Sequence, residues 1–189
     1  MKRIVCIGKR TLERSNVPFC ESVGMRTVEG GDLLVSGNSP GADQAYARGG
    51  GLIDPSRVEL CLPYPGFEHT QFRPTIIEAP DPGYGEDCYS GNVVRIANRS
   101  ATKDHWRIAS WMLPSFERQR TTVQQLYVRN VMMLLGADGE VADSVIAWPD
   151  REKKGWGGTG HTMRCARYLK IPVWLAELGR WWAETEATG

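Results

Sequence analysis

What the chain lacks narrows its function first. It has no charge of one sign: 23 Lys and Arg stand against 22 Asp and Glu, for a formal net charge of +1. A near-neutral chain makes no global electrostatic case for nucleic acid or an anionic membrane, so neither is expected as a partner. No apolar run is long enough to span a bilayer. The first one, Ile4 to Ile7, turns to Gly8 at once and reads as a strand, not a signal peptide. The five cysteines (Cys6, Cys20, Cys61, Cys88 and Cys165) include no C-x-x-C pair, so neither a zinc site nor a disulfide framework is expected. A reducing cytoplasm fits that usage. The three histidines, His69, His105 and His161, have no metal-ligand spacing. No metal and no cofactor is expected.

What is present is ordinary for one domain with a sizeable core: 189 residues, 41% hydrophobic and 24% charged. Short apolar runs around Ile4, Leu34, Leu60, Ile146 and Val173 read as strands covered on both faces. Helical patterns separate them. Pro18 suits the first turn of one, behind Ser15 or Asn16. Ser39 suits the N-cap of a second, with Pro40 at its first position, and Gly49-Gly50-Gly51 is expected to end it. Thr121-Thr122 suits the cap of a third, whose apolar stripe is Val123, Leu126, Tyr127, Val131, Leu134 and Leu135. Residues 64 to about 120, rich in Pro, Gly and aromatics, break this rhythm. They read as an insertion, a lid or wall of the site or equally an oligomer contact. The fold class expected is α/β, a Rossmann-like, doubly wound parallel sheet with a mid-chain insertion.

In such a sheet the C-terminal ends of all strands lie on one edge, and ligands bind there. Three loops would meet at it: Gly8-Lys9-Arg10, the stretch from Ser36 and Gly37 through Ser39 and Gly41 to Asp43, and Trp156-Gly157-Gly158-Thr159-Gly160-His161-Thr162. The last is a glycine-rich turn between a strand and a helix, where unpaired N–H groups and the helix dipole favour an anion. Thr159 and Thr162 can add hydroxyls, Trp156 a flat face for a base, and His161 a donor to phosphate. Arg129 and Asn130, polar residues on an apolar helix stripe, are further ligand candidates. For Asn130 a hydrogen bond to a loop carbonyl is the structural alternative. For Asp43 a favourable place in a first helical turn is the alternative to contact with ribose or phosphate. Gly155 to Thr162 has P-loop spacing with His161 in place of the lysine, and G-x-G-x-x-G is absent after the first strand, so ATPase and dinucleotide-fingerprint readings are set aside.

Ser36-Gly37-x-x-x-Gly41-Ala42-Asp43, Arg129-Asn130, the strand Asp143 to Trp148, and Gly157-Gly158-Thr159-Gly160 with Ile171-Pro172-Val173 resemble the SLOG superfamily of DprA-like and LOG-like Rossmannoid proteins. Their order is similar to its YspA-like branch, frequent in bacteriophages. The resemblance covers residues 3–62 and about 121–176. It implies a small nucleotide or nucleotide-derived signal, NAD- or ADP-ribose-derived among the options, held for sensing or sequestration, with a phage anti-defence role in the host cytoplasm if the chain is phage-encoded. It also implies two alternatives: LOG-like cleavage of the N-glycosidic bond of nucleoside monophosphates, and DprA-like binding of single-stranded DNA. LOG-like enzymes carry a glutamate where this chain has Arg164, which would oppose a ribosyl cation, so binding is expected ahead of hydrolysis. Asp43, Glu59 or a residue of the insertion would otherwise have to supply the carboxylate.

Overall fold

The computed structural model describes residues 1–65, 67 and 93–183. The sheet has seven strands among these residues: β1 (Arg3–Gly8), β2 (Leu33–Ser36), β3 (Val58–Leu62), β4 (Val93–Ile96), β5 (Ser144–Trp148), β6 (Val173–Leu175) and β7 (Arg180–Trp181), in the spatial order β4-β3-β2-β1-β5-β6-β7. All neighbours are parallel except β6 and β7. β1 is central and alternates between two cores, as period-2 side chains must. Val5 and Ile7 join one with the helices α4 (Lys103–Trp111), α5 (Thr121–Leu135) and α6 (Gly157–Tyr168). Ile4 and Cys6 join the other with α1 (Val17–Glu29) and α2 (Ala42–Ile53). This is a doubly wound, Rossmann-like α/β fold. No helix among the described residues is long and apolar enough to cross a membrane.

Several local expectations give way to packing. The α2 helix runs straight through Gly49-Gly50-Gly51 to Ile53. A Cβ on Gly49 would collide with the backbone carbonyl of Glu21 in α1, and one on Gly24 in α1 with the carbonyl of Tyr46 in α2. These glycines let two helix backbones touch, and tertiary contact outweighs their poor helix propensity. Gly41, at φ +88°, rather than Ser39, precedes α2, and Arg120, without a side-chain bond, precedes α5. Gln124, in the first turn of α5, donates to the Phe116 carbonyl at 3.0 Å.

The stretch read as an insertion is in part an integral piece of the fold. Its second half contributes β4, the short helix α3 (Ala97–Ser100) and α4, with Ile108, Ala109 and Phe116 buried in the α5 core. His105 fastens it: its ring pairs with the Thr102 N–H at 2.9 Å and with the Gly136 carbonyl at 2.9 Å. His69, Phe72, Tyr84, Cys88 and Tyr89 lie outside the described residues. Cys6, Cys20, Cys61 and Cys165 are buried free thiols.

Candidate functional site

The chain winds one way from β1 through β4 and the other way from β5 onward, so β1 and β5 are the point where the strand order reverses. The helices leaving this point diverge, and a crevice opens at the C-terminal ends of the two strands. A cleft of about 290 Å³ lies there. Gly8, Lys9 and Arg10 line it from the end of β1, Ser39 and Asp43 from the loop and first turn of α2, and Asp150, Lys153 and Trp156 from the chain after β5. Gly157, Gly158, Thr159 and Thr162 line it from α6. A face of α5 closes it with Val123, Leu126, Tyr127, Arg129, Asn130 and Met133.

Its floor is a buried polar brace. Asp43 accepts from the Gly8 N–H at 2.8 Å and the Ser39 N–H at 3.4 Å. Burial pushes its carboxyl up from the usual 3.8 to about 6, against the pull of the nearby Arg129 charge. Arg129 spends its donors on the protein: the Gly37 carbonyl, the Ser39 Oγ at 3.3 Å, the Cys61 carbonyl at 3.4 Å and the Asn130 Oδ1 at 3.1 Å. Its guanidinium therefore joins the loop after β2 and the strand β3 to α5. A Cβ on Gly37 would strike that guanidinium, and one on Gly41 would strike the carbonyls of Lys9 and Arg10. Gly37 makes room for the Arg129 side chain and Gly41 for the chain after β1, and neither is among the residues lining the cleft. Nor is Ser36, whose hydroxyl donates to the Asp43 carbonyl at 3.1 Å.

The glycine-rich wall has a tighter geometry than a simple strand-to-helix turn. Gly155, Trp156 and Gly157 are all left-handed, at φ +60°, +54° and +59°. The helix begins at Gly157, so Gly158 and Gly160 belong to its first turns rather than to the loop. Gly160 faces inward: a Cβ there would meet the Gly155 carbonyl, with the Trp156 Cβ at 2.9 Å. A Cβ on Gly158 would have only Asn130 Nδ2 nearby, at 3.9 Å, so the α6 backbone is open to the cleft at that point. No side chain caps α6 and no acidic residue stands in its first turn. Its unpaired N–H groups therefore keep their partial positive charge. Lys9, Arg10 and Lys153 add cations around them. Lys9 reaches Glu13 at 2.6 Å and Lys153 reaches Asp150 at 3.0 Å.

Other expected ligand groups are occupied. Asn130 donates to the Gly158 carbonyl at 3.3 Å, the structural alternative read for it, and Thr162 donates to the same carbonyl at 3.1 Å. Trp156 carries Arg151 over its ring at 4.5 Å and abuts Trp182, so it is packed rather than offered flat to a base. His161 is fully buried and is not among the residues lining the cleft. Its Nε2 donates to the Ala109 carbonyl at 3.3 Å and its ring packs on Tyr127 at 4.6 Å. Burial lowers its pKa to about 4 and leaves it neutral. Arg164 donates to the Gly155 carbonyl at 3.0 Å, steadying the left-handed turn. Glu59 is at the opposite edge of the sheet, paired with Arg3 at 2.6 and 3.0 Å, so it offers the cleft no carboxylate. Asp43 and Asp150 are the acidic residues among those lining the cleft.

Sequence reasoning missed Asp150, Lys153 and the apolar wall of Val123, Leu126, Tyr127 and Met133. Lys153 was within reach of it, as a cation between a strand end and the glycine run. The wall was not: its residues share the helical stripe of the core, and only the position of α5 over the strand ends turns part of that stripe to the cleft.

No family model matches the sequence, and no curated protein matches it. A solved structure of DNA processing protein A from Helicobacter pylori, described for its single-stranded DNA binding mode, shares the fold with a TM-score of 0.52 at 14% identity. The match covers 91% of this chain, which spans 64% of that one. This neighbour overturns the expectation that nucleic acid is no partner. Net charge averages the whole surface and does not describe one cleft, which Lys9, Arg10, Arg129 and Lys153 line together with Asp43 and Asp150.

Proposed function

We propose that the cleft binds one phosphorylated nucleotide unit. The phosphate sits at the N-terminus of α6, against Gly157 and Gly158 and among Lys9, Arg10 and Lys153. The base lies on the apolar face of α5. One observation carries this reading: an uncapped helix start, open because Gly158 has no Cβ, meets three cations in a single cleft. The resemblance to the SLOG superfamily and its YspA-like branch agrees with it, and a free nucleotide-derived signal would bind in this way. The Helicobacter pylori neighbour favours a second source of the same chemistry, a nucleotide of single-stranded DNA. Hydrolysis has less support, because Arg164 is turned to Gly155 and Asp43 is held by backbone amides.

Calorimetric titration tests the reading with four probes: AMP, adenosine, and short oligothymidylate with and without a 5′-phosphate. Binding of AMP but not adenosine is expected. Binding of the oligonucleotides in place of AMP would identify DNA as the source. If none of the phosphorylated probes binds, the reading fails. Mass spectrometry of the AMP sample afterwards should recover intact nucleotide, and free adenine would restore the hydrolase alternative.

A further inference from the structure

The loop between β5 and α6 is tied to the chain that follows β6 by contacts that lie outside the cleft. Arg151 Nε donates to Glu177 Oε1 at 3.0 Å, and the same guanidinium covers the Trp156 ring. Trp156 also meets Trp182, with ring centroids 6.4 Å apart. Trp182 is itself fixed: its backbone N–H donates to the Val173 carbonyl at 2.8 Å, and the Arg167 guanidinium lies 3.5 Å from its ring centroid. Arg167 also donates to the Ala183 carbonyl at 3.0 Å. What these contacts hold is an unfavourable backbone. A tryptophan at φ +54° persists only where its surroundings over-determine it. Trp156 immediately precedes α6, so its backbone sets where the Gly157 and Gly158 N–H groups point.

We propose that the hairpin after β6, residues 176–183, is a clamp on this loop, with Trp182 and Glu177 as positioning residues for the cleft that neither of them lines. The clamp stands on its own contacts; its consequence for ligand rests on the nucleotide reading above. The two are separated by measuring hydrogen exchange and AMP titration on the full chain, in the wild type, Trp182→Leu and Glu177→Gln. Faster exchange is expected at the Trp156 amide, which donates to the Lys153 carbonyl at 2.8 Å, and at the first hydrogen-bonded amides of α6. The amides of residues 163–168 should keep their protection. AMP affinity should fall roughly three- to thirtyfold in Trp182→Leu, the range seen for residues that act without touching ligand, and less in Glu177→Gln. Unchanged exchange in both variants overturns the clamp whatever the ligand. Faster exchange with unchanged affinity overturns the positioning role. A wild type that binds no AMP sinks the nucleotide reading for this probe, while exchange still decides the clamp. Should Trp182→Leu not fold, Glu177→Gln carries the test, since Glu177 lies in the hairpin and its partner Arg151 at the loop surface.

Discussion

Gly49-Gly50-Gly51 and the run from Gly155 to Gly160 look alike in composition and differ in what lies opposite them. The first lies within a continuous helix, and its Gly49 gives room to the backbone of α1. The second combines left-handed turn positions, Gly155 and Gly157, with Gly158, whose missing side chain faces open space in the cleft. At several of these glycines, though not at Gly51, a Cβ would be unwelcome. Whether another helix, an unusual φ or a ligand claims that space is decided by what lies opposite.

The largest expected effect tests the packing half of this contrast. Gly49→Ala pushes a methyl group into the Glu21 backbone and should destabilise the fold by about 3 kcal/mol, the upper part of the range for overpacking. Urea denaturation measures it, and a neutral result would mean α1 and α2 can separate freely. Next comes the cleft half. Gly158→Val meets nothing close and lies outside the left-handed region, so stability should stay within about 1 kcal/mol of wild type. AMP affinity should nonetheless fall by about 1.5–3 kcal/mol as the charge-assisted bonds to backbone N–H are blocked. Undiminished affinity in the folded variant would reduce the run to a connector and move the site elsewhere.

The cleft floor sharpens the comparison through pH. The carboxyl of Asp43 is raised in the folded state, so the native protein binds that proton more tightly than the unfolded chain. Its contribution to stability is therefore present below the unfolded value near 3.8 and is lost as pH rises toward about 6. Denaturation curves between pH 4 and 6 should show Asp43→Asn lacking this decline. An identical pH profile in wild type and variant would mean the carboxylate is better solvated than its burial indicates. The smallest effect is expected at Gly51, where a Cβ meets nothing within 4 Å. Gly51→Ala should stabilise by about 0.5–1 kcal/mol through helix propensity alone, opposite in sign to Gly49→Ala two residues away. Thermal melting reads both variants in one experiment.

The sequence by itself determined the alternation of covered strands and helices, because short apolar runs and helical stripes are local signals. It also determined that the loops after β1, β2 and β5 share an edge, since parallel strands leave no other place for them. It could not show β4, four residues in a stretch dominated by Pro, Gly and aromatics, nor the passage of α2 through three glycines, which depends on α1. Only the tertiary structure decided which residues at the shared edge face the cleft. His161 turned inward because its partner, Ala109, lies 52 residues earlier. Arg129 became a brace because Gly37, 92 residues away, presents its carbonyl. Lys153 and Asp150 entered the cleft because β5 lies beside β1, where the strand order reverses. Local spacing specifies an element and its faces. The direction of a side chain at a site depends on partners that the spacing cannot contain.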